Sequence, residues 1–78
     1  MPTVRVEGFN SKYWPGLLQI RHPDMIRSIE RGHISGHGLT NAYEVYEVHP
    51  DMVDRFVADM LDDPQVSAVY VDGEESTR

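Results

Sequence analysis

Residues 50–61 read Pro50-Asp51-Met52-Val53-Asp54-Arg55-Phe56-Val57-Ala58-Asp59-Met60-Leu61. Met52, Val53, Phe56, Val57, Met60 and Leu61 fall at i, i+1, i+4, i+5, i+8 and i+9, the apolar stripe of an amphipathic helix. Asp51, Asp54, Ala58 and Asp59 take the opposite side, and Asp51–Arg55 has the i,i+4 spacing of a favourable pair. Proline suits the first helical position and aspartate the first turn. Asp62 and Asp63 oppose the negative end of the dipole and Pro64 cannot continue the helix, so it stops there. On either side lie runs rich in aromatic and β-branched residues, Tyr43–Val48 and Val66–Val71, which read as strands. Strand, helix, strand is the unit from which the fold is inferred.

The N-terminal half is less regular. Thr3–Phe9 alternates, with Val4 and Val6 on one face and Arg5 and Glu7 on the other, the period of a half-buried strand. Asn10–Gly16 reads as a loop and Leu17–Ile20 as a short strand. Met25, Ile26 and Ile29 predict a short helix over Pro23–Arg31, with Gly32 as its stop. His33–Asn41, with Gly36 and Gly38, reads as a loop or a hairpin around a weak strand. Asp72–Arg78 reads as a frayed polar tail. His22-Pro23-Asp24-Met25-Ile26 and His49-Pro50-Asp51-Met52-Val53 echo each other, as expected of one strand–helix unit used twice.

Length and charge narrow the function. A chain of 78 residues is one domain, and from mass scaling it buries about 63% of its unfolded surface, enough for two layers. It has no cysteine, hence no disulfide and no thiolate metal site. No apolar run approaches a membrane span and the N-terminus lacks the regions of a signal peptide, so a cytoplasmic protein is expected. Residues 1–42 carry a formal charge of +2 and residues 43–78 carry −8, together the −6 of the chain. Glu44 and Glu47 beside Tyr43 and Tyr46, together with that charge, argue against nucleic-acid binding, where phosphate neutralisation dominates. The serines sit in no nucleophile elbow, so no catalytic residues and no cofactor are assigned.

Two surfaces remain as candidate protein-binding sites. Tyr13 and Trp14 are typical interface anchors, here in a loop beside Lys12. Asp51, Asp54, Asp59 and Asp62 form an acidic helix face that suits a basic partner. His33 and His37 have a spacing compatible with metal ligation, but the glycines around them disfavour a helix, which leaves them weak candidates.

Residues 43–75, with Leu61-x-x-Pro64-x-Val66-x-x-Val69-x-Val71-Asp72-Gly73, resemble the second half of a ferredoxin-like domain. A similar run occurs in the propeptide-like inhibitors of subtilisin-type proteases, compact domains of nearly this length. That resemblance implies that Asp72–Arg78 would lie in a protease active site. It stops at the first half, where Asn10–Ile20 stands in place of a direct passage from strand to helix.

The reading is therefore a small two-layer α+β sandwich, ferredoxin-like, with an antiparallel sheet of about four strands and two helices on one face. Its expected function is a non-enzymatic inhibitor or regulator that occupies a partner protein's surface, of the kind mobile elements encode. The expected partner presents a basic surface, and the uncovered sheet face suits a homodimer. The alternatives are the protease inhibitor and a metal- or ligand-responsive subunit using the His33–His37 loop.

Overall fold

The computed structural model describes residues 1–9, 14, 16–36 and 39–76. Their order is β1 (Thr3–Gly8), α1 (Leu17–Arg21), β2 (Ile26–Gly36), β3 (Leu39–Val48), a 3₁₀ turn (Pro50–Met52), α2 (Val53–Asp62), β4 (Val66–Val71) and β5 (Glu74–Ser76). The five strands form one antiparallel sheet in the order β2-β3-β1-β4-β5.

Side-chain alternation sorts the sheet into two faces. Val4 lies opposite Tyr46 and Val71, and Val6 lies opposite Glu44 and Val69. With Ile26 and Val48 these residues turn toward the helices, where Trp14, Leu18, Met52, Phe56 and Met60 complete one buried cluster. Phe56 is fully buried and meets Tyr46 edge-on, the ring centroids 5.1 Å apart. Arg5, Tyr43, Val45 and Tyr70 alternate to the other face and are only partly exposed.

The helix read from residues 50–61 forms, with two adjustments. Pro50–Met52 is a 3₁₀ turn, opened by His49, whose Nδ1 accepts from the Asp51 amide at 3.1 Å. That turn takes Asp51 out of α-helical register, and its carboxylate faces His49 at 3.9 Å in place of the expected Arg55. The helix ends at Asp62.

Two assignments in the first half are reversed. Leu17–Arg21 is a helix, not a strand; Leu18 reaches the core, while Ile20 stays 73% exposed. Residues 26–31 of the expected helix over Pro23–Arg31 belong to β2, after a turn over residues 23–25. Ile26 and Ser28 pair with Val48 and Tyr46, then the register slips at Ile29 before Glu30 meets Val45. An extra residue in a strand breaks the two-residue period, and Ile26 followed by Ile29 then imitates a helical repeat. Ile29 is not on a buried stripe; it is 46% exposed. The residues read as a loop or hairpin from His33 to Asn41 include the last part of β2 and the start of β3, with Gly36 opposite Leu39.

Residues 72–76, read as part of a frayed tail, form a hairpin with β4. Asp72 and Gly73 have φ of 49° and 88°, so Val71 pairs with Glu74 across a two-residue turn and β5 is the fifth strand. Asp-Gly favours such a hairpin because both positions need φ > 0. Asp72 Oδ1 also accepts from the Thr3 amide at 2.9 Å, tying the turn to β1. At the opposite end of β1, a Cβ on Gly8 would stand 2.1 Å from the Gln65 carbonyl oxygen, so glycine permits the close approach at the β1–β4 register shift. No helix among the described residues is long and apolar enough to cross a membrane.

Candidate protein-binding surface

The negative surplus of residues 43–78 is not spread evenly once the chain folds. β3 spends its carboxylates on β2: Arg27 pairs with Glu47, and Arg31 Nη2 stands 2.8 Å from Glu44 Oε1. Arg5 Nε donates to Glu7 at 2.8 Å within β1. Most arginines of the first half are thus matched inside the sheet. The acids of α2 are not. Asp54, Asp59 and Asp62 are exposed, and none of them belongs to a described ion pair.

Helical geometry divides the acidic face in two. Asp54, Ala58 and Asp62 stand in one i, i+4, i+8 row, immediately beside the row Val53, Val57, Leu61. Met52, Phe56 and Met60 are buried, whereas Val53, Val57 and Leu61 are only partly covered. The apolar face of α2 is therefore not fully covered by the rest of the fold. Between these rows and the sheet lies a groove of about 720 Å³, walled by Val71 of β4 and Ser76 of β5 and bordered by Asp54 and Asp62. Asp51 and Asp59 do not line it.

The aromatic candidates fall differently. Trp14 is 5% exposed and belongs to the core cluster, with its Nε1 buried and without a hydrogen-bond partner. Its ring is packed inside and does not stand out as an anchor. Tyr13 and His37 lie outside the described residues. His33 is exposed on β2, and no group of three or more His, Asp and Glu side chains among the described residues is arranged to hold a metal ion. The segment 72–76, through which the protease-inhibitor resemblance would act, folds back onto β4 as β5.

The open sheet face is occupied by its own contacts. The Arg5 guanidinium lies 4.2 Å from the Tyr43 ring centroid, and the Tyr43 hydroxyl donates to Glu30 at 3.0 Å. That hydrogen bond, with some desolvation, holds the Tyr43 phenol above its ordinary pKa.

Glu44 is a buried charge that the sequence reading counted without assigning it to a face. It is 1% exposed, accepts a hydrogen bond from the Tyr46 hydroxyl and is ion-paired to Arg31 off the angle of a hydrogen bond. Burial, then the Glu44 hydrogen bond, push the Tyr46 phenol far up, so it stays a neutral donor. The signal was present in the period: Ala42, Glu44, Tyr46 and Val48 share the buried face. No family model matches the chain, and no characterised protein or solved structure is significantly similar to it.

Proposed function

We propose that this chain is a small, acidic, non-enzymatic protein-binding module that regulates or inhibits a partner by occupying a basic surface on it. The observation that carries this reading is the unmatched acidic flank of α2 beside a partly uncovered apolar row. Exposed carboxylates steer an oppositely charged partner, and adjacent apolar side chains supply area to bury once it arrives. We also read the framework as ferredoxin-like: the order β2-β3-β1-β4, with helices after β1 and after β3, supports that reading, and β5 would then be an addition at the edge.

The test is comparative affinity capture from the native host. The wild-type protein is compared with a variant carrying Asp51→Asn, Asp54→Asn, Asp59→Asn and Asp62→Asn. All four side chains are exposed, so the fold should tolerate the change. One basic protein, retained in stoichiometric amount by the wild type and depleted about tenfold or more by the variant, is the expected outcome. Equal recovery from both, or no protein enriched by either, contradicts the reading.

A further inference from the structure

The geometry points to the occupant of the α2 groove: an amphipathic helix of the partner, with apolar anchors on one face flanked by lysine or arginine about two turns apart. This rests on the protein-binding function proposed above and specifies what the partner presents. Three features select that occupant.

The first is charge. Asp54 and Asp62 border the groove, both exposed and in no described ion pair, so the rim calls for cations. The second is spacing. Eight positions separate these aspartates, which at 1.5 Å per residue is about 12 Å along the axis. One small cation does not span that distance, whereas two cationic side chains seven or eight positions apart on a helix lying along α2 do. The third is the shape of the wall. Val53, Val57 and Leu61 form an i, i+4, i+8 ridge, the kind of surface against which a second helix packs.

An extended peptide is the poorer fit. Among the described residues the neighbouring edge strand β5 spans three positions, Glu74–Ser76, of which two are acidic, a short template for a new strand. A helix seated over Val57 would bring its anchors onto the partly covered valines and set its cations at the rim. The mode is a helix in a groove, read through anchors at i, i+3, i+4 and i+7.

The test uses a defined probe. A synthetic 14-residue helix-forming peptide carries leucine at positions 4, 8 and 11 and lysine at positions 3 and 10. It is titrated into isotopically labelled protein and followed by methyl and amide NMR. A control peptide of the same composition has its leucines dispersed around the helix. The expected result is selective shifts at Val53, Val57 and Val71, with the control at least about tenfold weaker. Ala58→Lys is the diagnostic variant, because Ala58 is exposed and lysine is a good helix former, so the fold is kept while the groove receives a cation. It should weaken the peptide about tenfold or more, and Asp54→Asn with Asp62→Asn several-fold at low salt.

Shifts centred elsewhere, or unchanged affinity in Ala58→Lys, overturn the assignment. So does a wild-type dimer that Ala58→Lys converts to monomer, since the groove would then hold a second copy, for instance through the exposed Ile20 and Arg21 of α1. A native partner lost on replacing the aspartates but retained by Ala58→Lys would leave the binding function standing and remove only the helix.

Discussion

Phe56→Ala should lower the stability of the protein by about 3–5 kcal/mol, the range for deleting a buried phenylalanine ring. The ring is fully buried, at the centre of the α2 face, and edge-on to Tyr46. Edge-to-face pairs add about 0.5–1.5 kcal/mol beyond the area they bury. A chain of this length has a total stability of about 4–12 kcal/mol, so this single change removes about a quarter of it or more. The unfolding entropy scales with length, and the corresponding drop in melting temperature is about 20 °C. Thermal denaturation followed by circular dichroism measures it. A variant melting within a few degrees of wild type would mean that α2 does not dock through Phe56.

Trp14→Ala should cost a similar amount, about 3–5 kcal/mol, because the indole is packed among the core residues at 5% exposure. Trp14→Phe separates packing from hydrogen bonding. The indole Nε1 has no partner, and an unpaired buried donor itself costs about 1–3 kcal/mol. Replacing it by phenylalanine removes that burden while shrinking the ring, so the net change should be within about 1 kcal/mol. Denaturant titration of both variants checks the pair. If Trp14→Ala kept wild-type stability and lost only partner binding, the tryptophan would be a surface anchor and its place in the core would be wrong.

What could be read from the sequence was governed by periodicity. The helix over residues 50–62 and the strand at Thr3–Gly8 show uninterrupted 3.6- and two-residue repeats, and local pattern and tertiary packing agree there. At Ile29 they disagree. One bulged residue converted a strand repeat into a helical one, and long pairing with β3 outweighed the weak helical propensity of a segment holding two isoleucines. The two His-Pro-Asp-Met segments show the same limit. In each, the methionine amide donates to the histidine carbonyl three positions back, at 3.0 and 2.8 Å, so the local turn is shared. One turn then enters α2 and the other β2, and the His49 amide donates to the Met25 carbonyl between them. The turn chemistry was local; its continuation was not. The Asp72-Gly73 hairpin was legible and was passed over because the residues beyond it are polar.

For the candidate surface, composition located the acids but not their division. The charges of Glu44 and Glu47 are answered by β2, a pairing that depends on register. Asp54 and Asp62 border a groove because α2 packs beside Val71 of β4 and Ser76 of β5, residues distant in sequence. Neither fact is local to the residues concerned.

The most direct measurement of the account is the ionic-strength dependence of association kinetics. Wild type and the Asp54→Asn/Asp62→Asn double variant are compared against the same captured basic partner. At low salt the variant should associate several-fold more slowly and dissociate at nearly the wild-type rate, because exposed charges act through steering. The two association rates should converge as salt rises, the Debye length falling to about 8 Å at 0.15 M. Equal association rates at every ionic strength would contradict a function carried by the acidic flank of α2.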